Sequence, residues 1–345
     1  MEKKTNKKQT KNSISELRQD PVSGDWVVIA TGRAKRPEDF AKQKRTQVEE
    51  DSEKKCFFCY PEETGQKKDV LIYKNSQGEW TLRVFPNKYP AFSRPKNNRI
   101  QHKEEGPYFK MDSIGYHELI ITRDHKKQLA ELDVLEVAEV IDAYQDRYIN
   151  LMNKKSVNYI DIFQNHGKEA GASVAHPHSQ LVAIPVISPY VKRELEGAEK
   201  YYRMNKQCVY CAIIEWEKEH RQRIVFENDK YLVFCPFASR VAFETWIIPK
   251  EHHPYFERIS AQEKVQLAEA LKTALKKISE ALNNPAYNFY IRTSPADGQD
   301  YPHFHWHIEI LPKMSEWAGF ELSTEIEIST IQPEVATKFL RNQKK

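Results

Sequence analysis

Two histidines and a glutamine alternate at the start of an apolar stretch, in the segment HPHSQLVAIP that begins at His176. If this stretch is a β-strand, His176, His178 and Gln180 share one face, because side chains i, i+2 and i+4 point to the same side of a sheet. A neutral imidazole held by a hydrogen bond at one ring nitrogen can act as a nucleophile through the other. An amide beside it can donate a hydrogen bond to an oxyanion. The pattern therefore predicts His178 as the nucleophile and Gln180 as its catalytic partner.

Four of the five cysteines form two Cys-x-x-Cys pairs, and in a chain without secretory features such pairs suggest a metal rather than a disulfide. Histidines follow each pair, which gives the two-thiolate, two-imidazole ligand set that zinc accepts in closed tetrahedral sites. We therefore expect one zinc ion in each half of the chain, whereas Cys235 is expected to be a small buried hydrophobic residue. The first predicted set is Cys56, Cys59, His125 and His176, and the second is Cys208, Cys211, His252 and either His303 or His305.

The order of motifs in the first half of the chain returns in the second half. After its cysteine pair, each half continues with strand-like segments, a histidine, a long helical stretch and two further strand-like segments. His125 and His176 are 51 residues apart, and so are His252 and His303. A duplicated α+β unit explains this agreement. We predict a disordered basic tail at residues 1–14, a catalytic domain at 15–195 and a second domain at 196–345.

The composition is that of a soluble globular protein, with 345 residues of which 40% are hydrophobic and 30% are charged. No apolar stretch approaches the length of about 18 residues that a membrane span needs, and the charged N-terminus lacks a secretory signal. We therefore expect a cytoplasmic protein with no membrane partner. The formal net charge of +4 is small for this length and sits largely in the tails, so nucleic-acid binding is not expected.

The segments RQDPVSGDWVVIATGRAKRP and NHGKEAGASVAHPHSQ together resemble the galactose-1-phosphate uridylyltransferase family of the histidine-triad superfamily. The match runs from about Arg18 to Arg341, so that only the tails fall outside it. The resemblance implies an α+β fold of tandem histidine-triad-like half-barrels, in which helices pack on antiparallel sheets. It also implies a homodimer that acts on a nucleotide sugar and a sugar phosphate.

The resemblance also implies roles for particular residues. His178 matches the nucleophile that takes the nucleoside monophosphate, and Gln180 matches the glutamine that holds the phosphoryl oxygens. In the second cysteine pair's set, the tryptophan after His305 favours His305 as the closing ligand, while the internal spacing favours His303. The substrate-binding positions that the resemblance implies are Arg33, Arg36, Asn87, Asn165, Gly171, Ser173 and Glu321, the last of which matches a carboxylate that contacts sugar hydroxyls.

The leading hypothesis is a two-step UDP-glucose:hexose-1-phosphate uridylyltransferase that works through a nucleotidyl-histidine. A second hypothesis is an ADP-glucose phosphorylase that passes the nucleotidyl group to inorganic phosphate, since Cys208 and Cys211 resemble the branch that includes those enzymes. Ser323, Thr324 and Glu325 stand where related chains have a glycine-rich turn near the substrate phosphate, which weakens the hexose assignment. A third hypothesis is a zinc-stabilised nucleotide-binding module without turnover.

Overall fold

Both halves of the chain consist of short strands joined by turns and long helices, as the apolar pattern predicts. The computed structural model describes residues 15–30, 36–42, 56–95 and 102–343, so the predicted tail at 1–14 and Arg33 lie outside the described residues. The strands are β1 (Glu16–Gln19), β2 (Trp26–Ile29), β3 (Leu71–Lys74), β4 (Trp80–Pro86), β5 (His102–Glu105), β6 (Tyr108–Met111), β7 (Tyr116–Thr122), β8 (Tyr159–His166), β9 (His178–Ile184), β10 (Ile224–Glu227), β11 (Tyr231–Phe234), β12 (Thr245–Pro249), β13 (Tyr287–Arg292), β14 (His307–Pro312) and β15 (Glu327–Ser329). The helices are α1 (Pro37–Ala41), α2 (Val134–Met152), α3 (Pro189–Asn205), α4 (Val209–His220), α5 (Ala261–Leu282), α6 (Gly319–Thr324) and α7 (Pro333–Arg341).

Ten strands form one sheet in the order β10-β11-β12-β14-β13-β8-β9-β7-β4-β3, and every neighbouring pair is antiparallel. From the central β8 and β13 outwards, the two halves have the same order. The first half gives β8, β9, β7, β4 and β3, and the second gives β13, β14, β12, β11 and β10. This arrangement confirms the α+β class and the tandem histidine-triad-like units.

The long helices α2 and α5 are the repeat-related helices that cover the sheet and pack against each other. Each begins with a capping box, in which a carboxylate three residues into the helix accepts a hydrogen bond from the backbone of the capping residue. The capping residues are Asp133 for α2 and Ser260 for α5. One apolar core contains residues of both halves, such as Val84 and Ile141 together with Leu271 and Ile308.

Helix α3 joins the two repeated units. It begins where the Ser188 hydroxyl accepts a hydrogen bond from the backbone N–H of Val191, with Pro189 in the first turn. The predicted domain boundary at residue 195 lies inside this helix. The division into two domains stays a prediction, since both halves contribute to one sheet and one core.

The chain ends return to one another in a small three-stranded sheet, where β15 pairs parallel with β2. Arg18 of β1 also contacts Glu334 of α7, with 3.0 Å between Nη1 and Oε1. None of the helices within the described part of the chain combines the length and the apolar character needed to cross a bilayer.

Candidate active site and metal centres

Strand β9, next to the central strand β8, places His178 and Gln180 on one face of the ten-stranded sheet. In the register of β9 with β7, His178 lies opposite Ile121 and Gln180 lies opposite Leu119. Both side chains line a cavity of about 390 Å³. The strand therefore presents the imidazole and the amide to the same space, as the alternation of HPHSQ predicts.

The ring of His178 is held at one nitrogen. Its Nδ1 lies 2.9 Å from the backbone oxygen of His176, so that Nδ1–H donates and Nε2 is left for a ligand. The ring of Phe58 packs edge-on against the imidazole, with 5.0 Å between centroids. Burial lowers the pKa of His178, while the His176 carbonyl acts in the opposite direction. The imidazole is therefore neutral at neutral pH, which is the form that a nucleophile requires.

The cavity also brings Asn87 and Ser173 to His178 and Gln180, and their contact with a nucleotide stays a prediction. Asn165 and Gly171 lie beside each other at the end of β8. Gly171 has φ of +88°, a conformation that favours glycine, and a Cβ there would lie 3.8 Å from Nδ2 of Asn165. Nδ2 of Asn288 donates to Oδ1 of Asn165 at 2.8 Å.

Four predicted substrate-binding residues do not line this cavity within the described structure, namely Asn165, Gly171, Arg36 and Glu321. Arg36 is the exposed residue before α1, and its backbone N–H donates to Asp39. Glu321 lies in the first turn of α6, where its carboxylate accepts a hydrogen bond from the backbone N–H of Ala318 at 3.1 Å. A role of these four residues in substrate binding stays a prediction.

Two residues next to His178 and Gln180 were not predicted from the sequence, Phe58 and His117. Phe58 lies between the cysteines of the first pair and contacts the His178 ring. His117 lies on β7, with Nε2 2.8 Å from Oε1 of Gln180. Strand alternation could have suggested His117, because it shares a face with Leu119 and Ile121, the residues opposite Gln180 and His178.

The first predicted ligand set comes together next to the active site, where its four ligand atoms lie within 4.8 Å of one another. Nδ1 of His125 lies 3.3 Å from Nδ1 of His176, and Sγ of Cys59 lies 3.2 Å and 3.4 Å from these two nitrogens. A tetrahedral zinc ion with nitrogens at about 2.05 Å and sulfurs at about 2.3 Å places its ligand atoms about 3.3 to 3.8 Å apart. Nε2 of His176 also lies 2.9 Å from the Thr122 carbonyl, an orienting contact typical of metal-binding histidines. The residues fit zinc.

The second cluster contains Cys208, Cys211, His252 and His305, with the same limit of 4.8 Å between ligand atoms. His305, rather than His303, turns its Nδ1 towards Cys211, at 3.7 Å from Sγ. The repeat interval from His252 to His305 is thus 53 residues, two more than in the first half. Nε2 of both histidines lies close to a backbone carbonyl, Pro302 for His252 and Pro249 for His305.

The second half has a counterpart of His178 that is sealed. His307 lies two residues after His305, and its Nδ1 lies 3.0 Å from the His305 carbonyl, as in the first half. However, His307 is completely buried, and the ring of Trp246 stacks on it with 4.7 Å between centroids. The counterpart of Gln180 is Glu309, whose Oε1 lies 3.0 Å from Nε of Arg292.

A larger cavity, of about 560 Å³, lies in the second half. The repeat relates it to the cavity of His178, since Trp246, which corresponds to Leu119 by sheet register, lines it. His307 is not among the described residues that line this larger cavity. Trp246 lies between the ring of His307 and the larger cavity. The larger of the two cavities is therefore not the one that contains an accessible histidine.

Two family descriptions match the chain at places that correspond to its two repeats. The description "Galactose-1-phosphate uridyl transferase, N-terminal domain" matches residues 4–187, and "HIT domain" matches residues 217–314. The chain belongs to the galactose-1-phosphate uridylyltransferase family. The repeated order of strands in the two halves and the histidine-triad match in the second agree with this membership.

Among relatives in this family, the ADP-glucose phosphorylase of Arabidopsis thaliana is 34% identical over 96% of this chain and 93% of its own length. The galactose-1-phosphate uridylyltransferase of Thermotoga maritima is 29% identical over 95% of this chain and 98% of its own length. A crystal structure of an Arabidopsis thaliana ADP-glucose phosphorylase with bound ADP-glucose superposes with a TM-score of 0.81 at 31% identity, covering 96% of this chain and all of that one. The family resemblance is therefore confirmed over nearly the whole chain, and it supports nucleotidyl transfer.

Proposed function

We propose that this protein transfers a nucleotidyl group from a nucleotide sugar through a covalent intermediate on His178. The observation that carries the proposal is the ring geometry of His178, which is buried, bonded at Nδ1 and directed into the cavity shared with Gln180. The sealed ring of His307 supports the choice of the first half. A non-catalytic nucleotide-binding module would not need a nucleophile held in this way.

In the first step, the lone pair on Nε2 of His178 attacks the α-phosphorus of the nucleotide sugar. A P–N bond forms, the bond from the α-phosphorus to the bridging oxygen breaks, and the sugar 1-phosphate leaves with that electron pair. The Nδ1–H of His178 stays on its nitrogen, and the His176 carbonyl stabilises the positive charge on the ring. The amide of Gln180 donates to a phosphoryl oxygen, because catalysis of such transfers depends on positioning and on stabilising charge.

In the second step, we propose that inorganic phosphate is the acceptor and that ADP-glucose is the donor. An oxygen of phosphate attacks the phosphorus, the P–N bond breaks, its electrons return to Nε2, and a nucleoside diphosphate is released. The support is the similarity to the ADP-glucose phosphorylase, at 34% identity, which exceeds the 29% identity to the Thermotoga maritima transferase. Ser323, Thr324 and Glu325, in place of a glycine-rich turn, also favour an acceptor other than a hexose phosphate.

The second candidate is the uridylyltransferase, in which UDP-glucose loads His178 and a hexose 1-phosphate accepts the uridylyl group. Family membership and the carboxylate of Glu321, which matches a sugar-binding position, favour this candidate. Both candidates share the first step and the residues that perform it. They differ in the base and in the acceptor.

We also propose that each of the two Cys2His2 clusters holds a zinc ion. A zinc ion in the first cluster would anchor the segment before β9, since it would join His176 to Cys56, Cys59 and His125. The chemistry that it supplies is structural, because four protein ligands close the site. His176 in turn provides the carbonyl that orients His178.

The test is to mix the protein with ADP-glucose and with UDP-glucose separately and to measure its intact mass. An adenylyl adduct that is absent from His178→Ala, and that inorganic phosphate discharges to ADP, is expected. A uridylyl adduct discharged by hexose 1-phosphate and not by phosphate would establish the transferase instead. An adduct that forms undiminished in His178→Ala would refute His178 as the nucleophile.

A further inference from the structure

His117 contacts two side chains that line the cavity of His178, and one backbone nitrogen outside it. Its Nε2 lies 2.8 Å from Oε1 of Gln180 and 3.2 Å from Nδ2 of Asn87. Its Nδ1 lies 3.4 Å from the backbone nitrogen of Ala91. His117 is not among the residues that line the cavity, so it reaches a substrate only through Gln180 and Asn87.

The partners of His117 determine which of its nitrogens carries the hydrogen. The backbone nitrogen of Ala91 is a donor, so Nδ1 accepts and a neutral ring carries its hydrogen on Nε2. Asn87 does not accept that hydrogen, because the atom 3.2 Å from Nε2 is its amide nitrogen, which is itself a donor, while Oδ1 accepts from the backbone N–H of Tyr89 at 2.9 Å. Oε1 of Gln180 therefore accepts from Nε2–H of His117.

This hydrogen bond determines how the amide of Gln180 is oriented. With Oε1 turned to His117, the NH₂ group is the end left for the cavity, where it can donate to an oxygen of a bound phosphoryl group. The opposite orientation would present a carbonyl oxygen to the phosphate and would repel it. A glutamine without this hydrogen bond has no such preference, since the two ends of an amide are alike in size.

The neutral state of His117 is consistent with its surroundings. Burial lowers the pKa of His117, and the hydrogen bond to Gln180 opposes this effect. The titratable group that faces it from β9 is His178, whose own pKa His117 helps to lower. From the loop after β4, Lys88 and Tyr89 border the same cavity.

The second half shows what occupies these positions where no transfer is proposed. By sheet register, Leu119 opposite Gln180 corresponds to Trp246 opposite Glu309, so that His117 corresponds to Glu244. Glu244 and Glu309 both contact Arg240, so an ionic cluster occupies the positions that correspond to His117 and Gln180. The first half has a neutral histidine and a neutral amide instead, which is compatible with an approaching phosphate.

We propose that His117 is a positioning residue for nucleotidyl transfer, and that it acts by fixing the amide of Gln180 with its NH₂ group towards the phosphoryl oxygens. This inference rests on the proposed function. It adds a residue on β7 that governs the rate of the chemical step without touching the substrate.

The experiment is a double-mutant cycle on His117 and Gln180. The measured quantity is the single-turnover rate at which the nucleotidyl group is transferred to His178, called loading. His117→Leu removes the donor and is expected to slow loading about tenfold, the effect of one hydrogen bond of about 1 to 1.5 kcal/mol. The dissociation constant of the nucleotide sugar should change by less than about twofold, because the amide matters most as charge develops. Gln180→Leu should be at least as slow as His117→Leu.

The diagnostic variant is the double replacement, which should load no more slowly than Gln180→Leu alone, because His117 acts through that residue. His117→Gln should restore most of the rate, since its amide nitrogen can reach the place of Nε2. His117→Asn, whose shorter amide resembles Nδ1, should not restore it. If His117→Leu does not fold, the contrast between His117→Gln and His117→Asn decides.

Multiplying effects in the double variant, or a loss of nucleotide-sugar binding without a loss of rate, would overturn the proposal. Equal loading rates for His117→Gln and His117→Asn would also overturn the proposal. Zinc content and thermal melting of each variant show that the fold is retained. Loading of the wild-type protein is measured first: if it loads and the effects multiply, only the role of His117 fails, while a wild-type protein that never loads overturns both proposals.

Discussion

At the scale of single residues, the same histidine geometry occurs twice in this chain, and the neighbours decide what each ring can do. His178 and His307 both hold Nδ1 against the carbonyl of the histidine two residues earlier. Leu119 lines an open cavity near His178, whereas Trp246 at the corresponding position stacks on His307. Nε2 of His307 faces the buried carboxylate of Glu309, 3.6 Å from Oε1, rather than a cavity. A buried imidazole without access to a substrate is a structural group.

Paired alanine replacements of these two histidines should therefore give opposite results. His178→Ala should abolish the nucleotidyl adduct, while His307→Ala should load at a rate within about twofold of the wild-type protein, as expected for a residue remote from the substrate. His307→Ala should instead lower the free energy of unfolding by about 2 to 4 kcal/mol, because a fully buried ring leaves a cavity. Intact mass and urea unfolding measure the two effects. Loss of the adduct in a folded His307→Ala protein would contradict this division of roles.

At the scale of elements, each histidine strand begins next to a Cys2His2 cluster. His176 of the first cluster stands two residues before His178, and His305 of the second cluster stands two residues before His307. The clusters join the starts of β9 and β14 to the two cysteine-containing segments. We therefore expect the position of β9 relative to β7 to depend on both sheet pairing and the first cluster.

Replacing one cysteine in each cluster should separate these contributions. Cys56→Ser and Cys208→Ser should each lose about one zinc per chain by elemental analysis, since removing a ligand weakens a closed tetrahedral site. Loading of His178 should fall more in Cys56→Ser, because the first cluster contains His176. Cys235→Ala is the matched control, as Cys235 is buried outside both clusters and should leave the zinc content unchanged. A folded, fully active wild-type protein without zinc would contradict the zinc proposal.

At the scale of the whole molecule, the features set by local sequence are the ones that could be predicted. The alternation in HPHSQ predicted the shared face of His178 and Gln180, and the order of motifs predicted the duplication. The joining of both units through β8 and β13 was not predicted, because strands from different halves share no local pattern. The stacking of Trp246 on His307 was not predicted for the same reason, since it joins residues 61 positions apart. The equal intervals also pointed to His303, although the cluster contains His305.

The predicted domain boundary near residue 195 falls within α3, whose buried face packs largely on residues of the second half. Glu194 of this face lies 3.5 Å from Arg292 of β13, and both side chains are largely buried. The helix that connects the two units is thus also part of the charge cluster around Glu309.

The homodimer that the resemblance implies stays a prediction.

The buried carboxylate of Glu194 gives the molecule a pH-dependent stability. Burial raises the pKa of Glu194 from its ordinary 4.5 to about 7, while Arg292 acts in the opposite direction. Because the folded state holds this proton more tightly than the unfolded state, the carboxyl contributes stability below pH 4.5 that is lost as the pH rises through about 7.

Glu194→Gln removes this dependence, since an amide does not titrate. Relative to the wild-type protein, the variant should gain roughly 2 to 3 kcal/mol in free energy of unfolding between pH 5 and pH 8, from about 1.4 kcal/mol per pKa unit. Urea unfolding of both proteins at the two pH values measures the difference, and groups common to both cancel. Glu196→Gln, on the exposed side of the same helix, should show no such change. A difference between Glu194→Gln and the wild-type protein that stays constant with pH would show that Glu194 remains ionised, held by Arg292 in the folded protein.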